Sequence, residues 1–588
     1  MSTFDVHRLR FGDWMPSPIK AIASDPFSAM VAIGREDGDI EISDSTGKWF
    51  TAARIPGRCG FALKSLVWSS LSSERGRLFG VSLRGFLFEI DLAALTFKNV
   101  QESYGGAIWC ISARGTQPTL AVGCEDGTIR IFSYADGTLE YSKVFSGAGG
   151  SRVLCMAHHP SKGELFAGCA DGTISCLDAD TGRPIYTMTG DLMRGASTLI
   201  WSLIVLSDST VITGDNRGHV QFWDGSTGVL MVSFHQHTAE VLALAASPDE
   251  TQVYASGVDC RVTCMRRIKH RSASFGAASE ADESDKYTNP QVVDNHWVYT
   301  ASHRPHSHDV FALAVCKNAH IFGKQKSKGA SGEAAAEHRE RSRPLLLSGG
   351  QDCKLCAYSI DDFIATRPAW ILPIPANGLV SKSSDYKSVA VKHRNHVDVW
   401  AVSLHAPQSA KGGSTKKRKI GEAELETCTL ALRIELQGAE HIHTFALSPC
   451  GKFLGMSGHF GFRMWSVVPA GGKESKAPLS CHKIDLPELK DTFAHAICFS
   501  ADGCRLAVCT DKGKILLLNV GADKASKLPR VSVRHTFDHY RTINENRNVD
   551  ADDKSDAAQS LKFAVKDVVL SSDGLYLSVS DCAHGVYV

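Results

Sequence analysis

Hydrophobic and polar positions alternate in short runs through most of this chain, and clusters of Gly, Asp, Asn, Ser or Pro close each run. A period of two is the pattern of half-buried β-strands, and the closing residues are those that turns require. Three stretches show the unit plainly: Leu120–Phe132, Leu165–Leu177 and Val211–Trp223. In each, a strand of small and apolar residues runs into a tight polar turn ending in Gly, and an alternating strand returns. Asp-Gly between two such runs is a strong hairpin signal. The turn needs positive φ, and Gly supplies it without a steric penalty.

The turn position recurs at Gly38, Gly85, Gly127, Gly172 and Gly218, then at Cys260, Cys353, Asn395, Gly461, Gly513 and Gly585. The first steps are 47, 42, 45, 46 and 42 residues. A WD40 repeat, one four-stranded propeller blade, takes about 40–45 residues. Flanking pieces agree with that unit. Ala157–Pro160, Ala246–Asp249, Leu447–Gly451 and Phe499–Gly503 end upstream strands in a turn, and Phe222-Trp223-Asp224 carries the Trp-Asp signature. His306, His308 and Asp309 match the His-then-Asp entry to a blade. A lone blade cannot cover both its faces, so blades ring and stack.

The expected fold is therefore all-β, with WD40 β-propellers in tandem. Seven turns precede residue 360, so residues 1–366 are assigned to a seven-bladed propeller and 367–588 to a second, incomplete at the C-terminus. Longer steps hold polar inserts at 268–296 and 323–343 in the first ring and at 407–424 and 540–559 in the second. These cannot bury enough apolar area to offset ordering entropy and are expected to be disordered. The opening strand, Phe4–Phe11, is of the kind that closes a ring; which ring is left open.

Composition narrows the function classes. Hydrophobic content of 43% suits a globular core, and a net charge of +1 gives no whole-chain field toward nucleic acid or membrane, so charged contacts must be local. The first residues lack a signal-peptide pattern. The longest strongly apolar stretch, Leu199–Leu206, is too short to span a bilayer, and Asn-x-Ser/Thr acceptors are absent. A soluble intracellular protein is expected. The 18 cysteines are scattered, many in strand-like runs such as Cys176, Cys264 and Cys356, and read as buried free thiols.

Candidate chemistry is sparse. Cys353 and Cys356 have metal or redox spacing but straddle a hairpin turn, without a second pair at zinc-ribbon spacing. Cys155, His158 and His159 map to a strand end and its turn. Of His303, His306 and His308, one is the blade-entry histidine and the others are expected at the surface. Ser/Thr-His-Asp networks in propellers mimic a catalytic triad but serve structure. Neither a nucleophile elbow nor a His-Glu-x-x-His or phosphate-loop motif is present. No enzyme, no cofactor and no metal site are expected. Two basic runs remain: Lys416, Lys417, Arg418 and Lys419, a candidate nuclear-import or RNA-contact segment, and Lys324, Lys326 and Lys328, a weaker RNA-contact candidate. The plainer reading of both is a solvated loop.

Val6–Phe11, Pro18–Ile22, Gly105-Gly106-Ala107-Ile108-Trp109, Val122–Gly127, Val220–Asp224 and His306–Val310 together resemble the cirhin family of tandem WD40 propellers. The likeness is strongest over residues 1–230 and returns weakly near Ser448–Gly451 and Ser572–Gly574. It implies a nucleolar scaffold subunit of the small-subunit processome, in the U3 small nucleolar RNA-associated UtpA subcomplex. Such a subunit binds sister WD40 proteins and the 5′ leader of pre-rRNA, and serves early processing toward 18S rRNA. Neither membrane nor small-molecule substrate is implied. The sequence departs by stopping before a second ring would close, and its charged inserts lack a counterpart. The alternative is a WD40 substrate receptor of a cullin ubiquitin ligase. Against it, Trp223-Asp224 is followed by Gly225-Ser226, with no Arg at the usual place.

Overall fold

The computed structural model describes residues 14–588 except 46–48, 50, 59, 70, 72–75, 136, 147–149, 191–197, 272–292, 320–342, 376–377, 386, 403–427, 437, 439, 470–478, 490–491, 523–528, 538–563 and 583–584. Among the described residues there are eleven antiparallel sheets in chain order, ten of four strands and the last of three. Each is a meander whose first strand is innermost. We number them blades 1–11.

The inner strands of blades 1–7 are Ile19–Ser24, Leu63–Trp68, Ile108–Ala113, Val153–His158, Ile200–Val205, Val241–Ala246 and Val310–Ala319. Each packs on the next, and the inner strand of blade 7 packs on that of blade 1, which closes a seven-bladed ring. Strand alternation explains the stacking. Leu165 and Phe166 are neighbours in one strand of blade 4. Leu165 joins a cluster with Cys110 and Ala121 of blade 3, whereas Phe166 joins one with Ile200 and Val211 of blade 5. Successive side chains thus feed opposite faces, and every inter-blade space becomes a core. The closing space is filled by Ile19, Ile33, Ala312, Leu345 and Leu347.

Blades 8–11 begin with Val380–Lys382, Ile442–Leu447, Ala494–Phe499 and Val565–Leu570, packed in series. They lean on blades 1 and 2. Arg394 pairs with Asp37 at 2.6 Å, His459 lies on Phe97 with ring centroids 5.5 Å apart, and Ala564 is buried among blade 1 and 2 side chains. No helix among the described residues is long and apolar enough to cross a membrane.

The turn alignment meets the backbone directly. Nine of the eleven aligned positions have positive φ, including the non-glycines Cys260 and Cys353, both at 64°. Two differ. Blade 8 has a shorter turn, closed by His393 N–H to His396 O at 2.9 Å, so Asn395 needs no left-handed backbone. In blade 11 Asp581 N–H donates to Gly585 O, as Thr510 does to Lys514 in blade 10. The position equivalent to Gly513 is thus 584, outside the described residues.

The strand Ala369–Ile371 completes blade 7, so the first ring runs past residue 366. Part of the expected insert 268–296 is also strand. Val262–Arg271 and Val293–His303 pair as far as Arg271 opposite Val293, because backbone pairing carries the ladder beyond the apolar pattern. The opening strand, the core of this insert and nearly all of the other three lie outside the described residues. So do Lys324, Lys326, Lys328, Lys416, Lys417, Arg418 and Lys419. Cys176, Cys264 and Cys356 are buried free thiols.

Candidate interaction site at the central channel

One irregularity recurs in every inner strand of the first ring. Pairing with the second strand skips a residue between Ile19 and Ala21, Leu63 and Ser65, Ile108 and Cys110, Val153 and Cys155, Ile200 and Ser202, Val241 and Ala243, and Val310 and Ala312. A bulge places two residues opposite one, and it re-aims a side chain that would otherwise enter the core. The skipped residues are Lys20, Lys64, Trp109, Leu154, Trp201, Leu242 and Phe311.

Their mutual contacts put them on the channel wall. Lys20 Nζ lies 3.7 Å from the Phe311 ring centroid, Lys64 Nζ 5.4 Å from that of Trp109, and Trp109 and Trp201 are 6.3 Å apart. Blade 4 separates the two tryptophans along the ring, so their contact runs through the channel. At the rim Lys20 pairs with Glu36 at 3.8 Å, and Glu125 takes Arg152 at 3.5 Å together with the Trp109 indole N–H. Burial, helped by nearby Lys20, pulls the Lys64 ammonium below its ordinary range. The second array has the same bulge at His443, His495 and Lys566. His443 and His495 meet at 5.7 Å. The sequence reading missed this ring of positions. The signal was the residue after the buried aliphatic that opens each inner strand.

The polar residues that imitate a catalytic group are enclosed. His306 Nδ1 bonds Asp352 at 3.0 Å, its Nε2 meets Ser348 Oγ at 2.7 Å, and Ser348 meets Tyr358 at 2.9 Å. His237 joins Asp259 and Thr263 in the same way at 3.0 and 2.9 Å. Both histidine side chains have zero exposure and both aspartates 4%. Burial holds His306 below its usual pKa, so its neutral ring passes one hydrogen bond to Asp352 and accepts one from Ser348. The partner of His306 is thus Asp352, on the following hairpin. His303, expected at the surface, is half-buried: it packs edge-on to Phe363 at 4.7 Å and bonds the Phe363 carbonyl.

The other cysteine and histidine groups are also committed internally. His158 bonds Ser112 and His159 bonds Ser209, while Cys155 donates to the Ile200 carbonyl. Cys353 donates to the Pro16 carbonyl, and Cys356 is fully buried. A group unread in the sequence is His393, His396 and Asp398, whose ligand atoms lie within 4.8 Å of one another. Arg433 grips both Asp398 oxygens at 2.7 and 2.8 Å, which neutralises the carboxylate a cation would need. Trp223 and Asp224 are likewise spent inside the fold, on Thr213 and on Ser226 and Thr227.

The fold and its channel define the chain as a tandem WD40 β-propeller protein. It matches the family described as WD domain, G-beta repeat, over residues 97–133, 139–178 and 228–264. It is similar to the U3 small nucleolar RNA-associated protein 4 homolog of Mus musculus, 25% identical over 597 residues, covering 100% of this chain and 74% of that protein. The human homolog is 26% identical over 528 residues, covering 88% of this chain and 68% of its own. The Saccharomyces cerevisiae U3 small nucleolar RNA-associated protein 4 is 26% identical over 548 residues, covering 90% and 62%.

Proposed function

We propose that this chain is a non-catalytic scaffold subunit of the small-subunit processome, acting in early pre-rRNA processing toward 18S rRNA. The observation that carries the reading is similarity along nearly the whole chain to proteins named as U3 small nucleolar RNA-associated, in two mammals and two yeasts. The first propeller, through Ile371, and the blades from Val380 onward act as two platforms. Their blade edges bind sister WD40 proteins of the UtpA subcomplex. Scattered Lys and Arg hold the phosphates of the pre-rRNA 5′ leader, which needs no sequence code. The protein works in the nucleolus, and Lys416–Lys419 serve its nuclear import. The closed His-Asp-Ser/Thr networks support the non-catalytic part, since a substrate cannot reach side chains that solvent does not touch.

The test is a tagged pull-down from nuclear extract at moderate salt, probed for U3 RNA and unprocessed pre-rRNA. Enrichment of both is expected. Recovery of cullin adaptors without either RNA refutes the reading.

A further inference from the structure

We propose that the central channel of the first propeller binds a nucleotide of single-stranded RNA, with its base on Trp109, Trp201 and Phe311 and its phosphate on Lys64 and Lys20. This deepens the proposed association with RNA and rests on it.

Three observations lead there. First, the seven bulges aim side chains away from the inter-blade cores and at one axis, and the set they present is chemically specific. It has two ammonium groups, three aromatic rings and two leucines, without a carboxylate. Lysine with exposed aromatic rings is how proteins hold single strands: the rings stack bases and the cations meet the backbone.

Second, two donors of the wall, Lys64 and the Trp201 indole, lack an acceptor. Among the described residues Lys64 lies over the Trp109 ring and has no carboxylate partner. The Trp201 indole N–H is buried and makes no hydrogen bond. Burial also lowers the Lys64 pKa, and an anion at this place raises it again.

Third, the rim carboxylates are already satisfied. Glu36 is held by Lys20, and Glu125 by Arg152 and the Trp109 N–H. They do not recruit a cationic peptide. Between acceptor-rich ligands, an acidic peptide meets the lysines but leaves three aromatic faces without a flat partner. A nucleotide uses both.

The test is fluorescence anisotropy of the full chain with a fluorescein-labelled 15-nucleotide oligouridine, with a labelled 15-residue polyglutamate as the rival probe. Trp109→Ala and Trp201→Ala are each expected to weaken oligouridine binding about tenfold or more. Trp109→Phe and Trp201→Phe keep the flat face and restore it. Lys64→Gln lowers the slope of log affinity against log salt by about one. Lys143→Gln, on an outer strand, changes neither. Thermal melting of each variant at the wild-type temperature shows that the ring is intact. The proposal is overturned if the two Trp→Ala variants bind oligouridine as the wild type does, or if only polyglutamate binding responds to them. Those failures leave a U3-positive pull-down untouched. A U3-negative pull-down with channel-dependent oligouridine binding would instead remove the processome reading and keep the site.

Discussion

The His306 network offers the most exacting test of how the ring is held. Replacing His306 by Ala removes a hydrogen bond to the Asp352 carboxylate, whose side chain is 4% exposed, and a second to Ser348. The carboxylate keeps only two long backbone contacts, from Ser307 and Lys354 N–H, both at 3.3 Å. A hydrogen bond to a charged group contributes about 1.5–3 kcal/mol and a neutral one about 1 kcal/mol, so the loss is about 3 kcal/mol. With an unfolding entropy of about 2.1 cal/mol/K per residue, a ring of this size loses about 4 °C in Tm. Urea and thermal unfolding of the full chain, followed by circular dichroism, read both quantities. Asp352→Ala costs a similar amount, but the double variant costs far less than the sum. Once both partners are gone, neither is left buried and unpaired. Additive losses within about 0.3 kcal/mol, or a His306→Ala cost under about 0.5 kcal/mol, refute the argument.

Other expectations follow from the same structure. Gly218 has φ near +90°, and a Cβ there would lie 2.3 Å from the His237 carbonyl oxygen, so Gly218→Ala costs about 3 kcal/mol or more. Gly137→Ala meets nothing within 4 Å and costs only the left-handed penalty of about 1 kcal/mol. Denaturant titration compares them. Burial lowers His158, His459 and His495 to about 4. The unfolded chain binds these protons first, so stability is complete above about pH 6.5 and falls as pH drops toward 4, by up to about 1.4 kcal/mol per pH unit for each histidine. Melting at pH 7 and pH 5 checks the sign, and His495→Phe flattens the profile. Changing Lys416–Lys419 to Ala abolishes nuclear accumulation of a fluorescent fusion if this run is the import signal.

Much of the fold is legible in the sequence because a propeller repeats one local rule. The rule for the turn is steric, so its alignment even finds Cys260 and Cys353 standing in left-handed backbone where other blades use Gly. Blade 8 departs from it, its turn closing from His393 N–H to His396 O with no residue at positive φ. The partner of His306 is not written in the local pattern. Asp309 is nearer in sequence, but the side chain that reaches the ring comes from the next hairpin, and that choice depends on tertiary register. The channel is the least legible part. A bulge leaves no mark on an alternating pattern except one residue of shifted phase. Lys20 and Phe311, or Trp109 and Trp201, become neighbours only when seven separate strands converge on one axis.

The repeated bulge also bears on how such a protein changes over time. A residue in an inter-blade core is constrained by the neighbours it fills space against, and exchanging it disturbs two blades at once. The skipped residue of each inner strand is released from that constraint. Its backbone is fixed by flanking pairs, while its side chain is aimed at the axis rather than into an inter-blade core. Seven such positions form a row of interchangeable fittings on an unchanging frame. Within this one chain the first ring carries Lys, Trp, Leu and Phe there and the second array His and Lys, on the same backbone device. Drift at these sites can rewrite what the axis recognises without asking the ring to refold.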